Sequence, residues 1–359
     1  MAKIRLVKVV AAALFAALAV TGCQNTSIDS GLTNAPNISE TNTVAPEIDE
    51  VPEHIASEAL PNQIRFGTPR GAAALALTQF FLGDTAEGTF NAVPFSLELA
   101  GAPDQITAKL ATGELDAALL PVNLASVLYN RTNGDIKLAA ITGTGLFYVV
   151  GNSALWGDRP EIPSFADLAG AQVVSFGLGA TPQYVIEYLT QHYDIDLDLT
   201  FSAEAPEAVA QLLAGQAYFG ILPEPFVTSL IAQDPDFKVV VSLGEAWELA
   251  TNSPLVTTAL VFRADFVARY PQTAQYLIEA VGRSIAWVTD NPSAAAIVVA
   301  EQMILPTAEI AEAAIPRTNL VMLTGEAAKT ATLEFLTVLY EANPMAIGGN
   351  IPDADFFLE

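Results

Sequence analysis

Between Phe176 and Gln183 the chain reads F-G-L-G-A-T-P-Q, a strand end that runs into two glycines and then a helix start. Thr181 is placed to cap that helix with Pro182 at its first position. The bare N–H groups of Gly179, Ala180 and Thr181, together with the helix dipole, suit an anionic or polar ligand atom, the alternative being a purely structural turn. A dinucleotide fingerprint is not met, because Pro182 stands where the third glycine belongs. The matching turn Thr68-Pro69-Arg70-Gly71-Ala72 offers Thr68, Gly71 and the Arg70 guanidinium, which either pairs with a carboxylate or sulfonate or lies exposed on its loop. Two strand-to-helix corners, Pro121-Val122-Asn123 and Pro223-Glu224-Pro225, present an amide that both donates and accepts and a carboxylate suited to a cationic or donor group. Capping their own helices is the competing role for Asn123 and Glu224. Trp247, flanked by Glu245 and Glu248, either covers a ligand or packs a lobe edge, and Thr142-Gly143-Thr144-Gly145 is placed to line a hinge.

This is recognition chemistry and not bond-making chemistry. The chain has one cysteine, Cys23, and two histidines, His54 and His192, so the common His-based triads lack their members. Zinc, iron–sulfur and haem sites lack donors for the same reason, which leaves an all-oxygen cation site open; no metal or cofactor is expected. With 40 acidic against 15 basic residues the formal charge is −25, which repels nucleic-acid phosphates at long range and sets nucleic-acid binding aside.

The elements that must hold these turns follow an α/β pattern, short apolar strands alternating with amphipathic helices. Expected strands are 63–67, 96–99, 117–120, 137–141, 173–176, 219–222, 239–243 and 255–262. Leu110 to Leu128 aligns without gaps on Leu212 to Leu230, each with a helix ending at a glycine, an apolar strand and a proline opening the next helix. The reading is two related lobes, each a doubly wound sheet, with lobe 1 at 62–150 and 255–359 and lobe 2 at 151–254. Loops at the carboxyl ends of the strands then face each other across a cleft, and two crossings, near 150–164 and 243–254, make a hinge.

Residues 1–22 carry Lys3, Arg5 and Lys8, an apolar run from Val9 to Val20 and small residues before Cys23, the three parts of a signal peptide. Their removal takes the charge from −25 to −28. Residues 23–61 hold no Lys or Arg and no apolar periodicity, and read as a tether reaching about 35 Å. The body needs no disulfide and is expected to be a monomer.

Val20-Thr21-Gly22-Cys23 resembles a bacterial lipobox, in which the cysteine is acylated and becomes the new N-terminus. The body, from about residue 62 to 357, resembles the solute-binding proteins of bacterial ABC importers, in the branch that includes nitrate, sulfonate, taurine and thiamine-precursor binders. The residues that carry the likeness are Pro69 with Gly71, Ala100-Gly101-Ala102-Pro103, Leu120 to Ala125, Gly177 to Pro182, Leu222 to Val227, and the tail from Glu341-Ala342-Asn343-Pro344 through Ile347-Gly348-Gly349 to Pro352. The resemblance implies a two-lobe, type II periplasmic-binding-protein fold, no enzymatic activity, and closure on one small organic or oxyanionic solute. It also implies delivery of that solute to a membrane permease and its ATPase from an extracytoplasmic, lipid-anchored position. It puts the ligand loops at Thr68 to Ala72, Pro121 to Asn123, Gly179 to Thr181 and Pro223 to Pro225, with Arg70 standing where relatives have a small residue. An enzyme on the same fold and the ligand-binding subunit of a sensor are the alternatives.

Overall fold

The computed structural model describes residues 60–86, 88–153 and 164–358, all within one compact unit. The expected signal peptide, Cys23, His54 and nearly all of the expected tether lie outside the described residues, as does most of the crossing expected at 150–164.

Among the described residues twelve strands form two mixed sheets. In chain order the strands are β1 (Ile64–Pro69), β2 (Thr89–Phe90), β3 (Val93–Ala100), β4 (Ala117–Pro121), β5 (Ile136–Thr144), β6 (Phe147–Asn152), β7 (Gln172–Phe176), β8 (Asp198–Ser202), β9 (Phe219–Pro223), β10 (Phe237–Ser242), β11 (Val256–Arg263) and β12 (Leu320–Thr324). The first sheet runs β12-β5-β11-β4-β1-β3-β2 and the second β10-β6-β9-β7-β8. Between the named strands, β1 pairs parallel with β3 and β4 and β7 with β8 and β9, while the strands nearest the crossings, β5, β6, β10 and β11, pair antiparallel with their neighbours. The helices are α1 (Gly83–Ala86), α2 (Pro103–Thr112), α3 (Val122–Arg131), α4 (Thr181–His192), α5 (Ala205–Leu213), α6 (Phe226–Gln233), α7 (Leu243–Thr251), α8 (Ala264–Arg269), α9 (Pro271–Asp290), α10 (Pro292–Glu301), α11 (Ala308–Ala314) and α12 (Gly325–Ala342).

The internal repeat appears as α2–β4–α3 in the first sheet and α5–β9–α6 in the second. Each unit sets a polar corner residue, Asn123 or Glu224, at the carboxyl end of a strand. Asp116, at the mouth of β4, accepts from the Arg65 backbone N–H at 2.8 Å and its Nε at 2.9 Å, which ties β4 to β1.

The crossings are shorter than the sequence suggests. Residues 147–150 belong to the second sheet, because the buried run Phe147-Tyr148-Val149-Val150 pairs with both β9 and β10, so the chain passes over at Gly145-Leu146. The return lies between Thr251 and Val256. At the junction Gly145, with φ +47°, meets Gly244 so closely that a Cβ on Gly244 would stand 2.7 Å from the Gly145 Cα. Real Cβ atoms do not approach backbone that closely, so the hinge needs a glycine at position 244.

One hydrophobic cluster runs through both lobes. Helix α12 packs on α4, and the Trp247 ring of α7 lies 5.9 Å from Phe335 and 5.0 Å from Tyr188. The tail beyond α12 clamps α3: Ser126 Oγ donates to the Ile347 carbonyl at 2.9 Å, and Asn130 Nδ2 donates to the Ile347 and Asn350 carbonyls at 2.8 and 2.7 Å. Tyr129 adds a hydrogen bond to Asp353. The tail that carries part of the family likeness therefore fixes the helix bearing Asn123.

Candidate functional site

The four sequence-identified turns lie at the carboxyl ends of β1, β4, β7 and β9, and those after β4, β7 and β9 make bonds between the lobes. Thr181 Oγ1 donates to Asn123 Oδ1 at 3.3 Å, a direct bond between the opposing walls. Asn123, only 9% exposed, also directs its amide to the Ala346 carbonyl at 3.5 Å. The expected cap role for Thr181 is corrected: Ala180 precedes the helix as its cap residue, Thr181 is its first residue, and the hydroxyl that would have capped reaches across to lobe 1. Gly177 and Gly179, at φ +74° and +78°, turn the chain into α4 in a region that side chains with a Cβ rarely enter. The Gly179 N–H is taken by Gln183 Oε1 at 2.6 Å.

Glu224 is fully buried in its side chain and is both cap and tie. Its carboxylate accepts from the Thr228 N–H at 3.2 Å and the Thr228 hydroxyl at 3.0 Å, within the first turn of α6, and from Arg317 Nε of lobe 1. Arg317 Nη2 also donates to Thr228 Oγ1 at 2.6 Å. Burial pushes the Glu224 carboxyl above the ordinary range, and the Arg317 and Thr228 bonds pull it back only in part. Beside it the Tyr148 hydroxyl donates to the Arg317 carbonyl at 2.8 Å and accepts from Asn319 Nδ2 at 2.9 Å, and burial pushes that phenol up as well.

Arg70 is tied to the chain just beyond α10. Its Nη1 donates to the Met303 carbonyl at 3.1 Å and the Gln302 carbonyl at 3.4 Å, at the C-terminal end of α10, where the helix dipole favours a cation. Thr68 is fully buried, with its hydroxyl toward the Pro69 carbonyl at 3.2 Å, and Gly71 begins the 3₁₀ segment Ala72–Phe81. The reading of Trp247 as a ligand cover is corrected: it is 1% exposed, in the core between α4 and α12, because the apolar face of α7 needs a large side chain there. His192 is exposed at the end of α4 beside Tyr188 and Tyr193.

The residue that sequence reasoning missed is Arg317. It lies just before β12, a short strand between α11 and α12 for which no strand was expected, and no motif surrounds it. A cavity of about 190 Å³ beside the crossings is lined by Tyr148, Asn319, Ser242, Glu245 and Glu248 among others. Among the described residues no group of three or more His, Cys, Asp or Glu is placed to hold a metal ion, and no helix is long and apolar enough to cross a membrane.

Two lobes, two crossings and facing loop sets define the type II periplasmic-binding-protein fold, and solved structures share it. A structure described as an ABC transporter from Parabacteroides distasonis is 23% identical, with a TM-score of 0.70 over 83% of this chain and 99% of that one. The periplasmic aliphatic sulphonate-binding protein of Escherichia coli is 14% identical, with a TM-score of 0.65 over 82% and 93%. The periplasmic nitrate-binding protein of Synechocystis is 14% identical, with a TM-score of 0.56 over 79% and 82%. No curated protein sequence matches the chain. Residues 97–303 match the NMT1-like family, and the chain belongs to that family.

Proposed function

We propose that the protein is the extracytoplasmic solute-binding component of an ABC importer. It would be held to the membrane by acylated Cys23 and the tether, closing on one small solute and passing it to a permease driven by an ATPase. The observation that carries the reading is the Thr181–Asn123 bond, which joins the two loop sets at a two-crossing hinge. Groups that meet across a hinge hold a molecule between them only when the lobes are together, so solute and closure stabilise each other. The fold-sharing proteins named for sulphonate and nitrate binding support the class of role, and the amide and hydroxyl groups at the junction suit hydrogen-bonded recognition.

The ligand-contacting set on this reading is Gly71, Asn123 and Thr181, whereas Thr68 is buried on the Pro69 carbonyl and the N–H groups of Gly179 and Ala180 are taken by Gln183 and the Gly177 carbonyl. Arg70 and Glu224 serve instead as ties, one to α10 and one between lobes, and Trp247 as core. The test is native mass spectrometry of protein purified without denaturation from its producing cells. A single small molecule retained in one-to-one ratio, released by partial unfolding and not chemically changed on rebinding, is the expected result. Turnover of that molecule would make the protein an enzyme and overturn the reading.

A further inference from the structure

The two strands that run into the crossings carry complementary bulges. Val256 faces Thr144 and Thr258 faces Gly143, which leaves Thr257 as the extra residue of β11; Ala259 then faces Ile141, which leaves Thr142 as the extra residue of β5. Bulges re-aim side chains and cluster beside functional sites. Both extra residues carry a buried hydroxyl without a hydrogen-bond partner, Thr142 at 0% and Thr257 at 8% exposure. Gly143 lets β5 come close to β11 there: a Cβ on it would stand 3.3 Å from both Thr257 Oγ1 and Thr258 Oγ1, closer than side chains ordinarily sit. Thr258 is also in register with Pro121, the corner that leads to Asn123.

An orphaned buried hydroxyl costs the fold its desolvation without return, and an apolar isostere avoids that cost. Two such hydroxyls on adjacent bulges, at the lobe-junction ends of both crossing strands, are therefore a feature that folding alone does not favour. The guanidiniums of the neighbouring loops are already engaged, Arg70 by carbonyls and Arg317 by Glu224.

We propose that Thr142, Thr257 and Thr258, on the paired bulges flanking Gly143, form the hydroxyl floor of the inter-lobe site and bind an uncharged hydroxyl, carbonyl or amide group of the solute. The inference rests on the solute-binding reading above and deepens it by assigning the floor and the kind of group it takes. Each hydroxyl both donates and accepts, which suits a neutral head and leaves an anion without a counter-charge at the floor.

The test uses Thr142→Val and Thr257→Val, with Thr332→Val as control, since Thr332 is another buried, unpartnered hydroxyl but sits on α12. Isotope-labelled wild type is mixed with each unlabelled variant and exposed to a deproteinised small-molecule extract of the producing cells. The pair is then re-isolated, and occupancy is read by native mass spectrometry. The expected result is about tenfold weaker loading of the two floor variants, equal loading of the control, and melting temperatures of the empty variants at or above wild type. Equal loading of the floor variants overturns the inference and leaves the solute-binding reading intact. Equal loading with a lowered melting temperature also overturns it, assigning the hydroxyls to a structural water. No loading of wild type overturns the solute-binding reading and the inference with it. Displacement of the loaded molecule by millimolar nitrate or ethanesulfonate overturns the uncharged-head assignment.

Discussion

Replacing Arg317 by alanine isolates the one ion pair that, among the described residues, joins the lobes. Glu224 has no exposed side-chain surface, whereas Arg317 is 34% exposed. Removing one partner of a buried pair costs about 3–5 kcal/mol. The exposed side of Arg317 and the two Thr228 bonds left on the carboxylate reduce this to about 2 kcal/mol at neutral pH. For a body of about 300 residues that is a fall of about 3 °C in melting temperature. The pH dependence carries the sharper test. Burial already raises Glu224 above its unfolded value, so the folded protein binds that proton more tightly than the unfolded chain. Wild type therefore loses stability as pH climbs from the ordinary carboxylate range through the raised one. Without Arg317 two of the influences that lower Glu224 are gone, so the loss is larger, extends to higher pH and shrinks on acidification. Thermal and urea unfolding followed by circular dichroism, at about pH 7.5 and about pH 5, give the comparison. The double variant Arg317→Ala/Glu224→Gln is expected to recover most of the lost stability at neutral pH. An equal loss at both pH values, or no recovery in the double variant, would refute the argument that an uncompensated buried carboxylate is the cause.

Three further outcomes are expected. Cys23→Ser should move the protein from the membrane fraction to the soluble exported fraction, since stable anchoring needs more than one acyl chain on that residue and its new N-terminus; fractionation and immunoblotting read it, and unchanged membrane retention contradicts the anchor. Gly244→Ala should cost about 1–3 kcal/mol in urea unfolding, because its Cβ meets the Gly145 backbone and not a movable side chain; an unchanged midpoint would mean the hinge is looser than the 2.7 Å approach implies. Thr181→Trp and Asn123→Leu should each weaken solute binding by calorimetry with the natively retained molecule, and the double variant should lose less than the sum of the two, since the residues touch each other; strict additivity would deny the shared contact.

Much of the fold was legible because strand and helix periods differ and because the duplicated unit repeats the same glycine, apolar strand and proline. All eight expected strands occur, with ends shifted by a few residues. The misses have physical causes. β6 is apolar on both faces and sits against the crossing, so Phe147 to Val150 carries no alternation to separate strand from linker. β8, D-L-T-F-S, is a polar edge strand, and β12 lies inside a largely helical stretch. At the site, strand-end turns were visible as Gly, Pro and Thr clusters, which put Asn123 and Thr181 on opposite walls, but the direct bond between the two was not legible. What the sequence hid was partnership over long separations: Glu224 with Arg317, Arg70 with the end of α10, and Trp247 with Phe335. The paired bulges at Thr142 and Thr257 were also hidden, since a bulge depends on the register of two strands far apart in the chain.

The central claim, a solute held by lobe closure, is tested most directly by small-angle X-ray scattering on one preparation in two states. The first is the protein as purified with its retained solute, and the second the same protein stripped by reversible partial unfolding, with native mass spectrometry confirming each load. The expected result is a smaller radius of gyration for the loaded protein and its recovery when the solute is returned. A retained solute with an identical radius of gyration in both states would put the binding site away from the lobe junction and contradict the account.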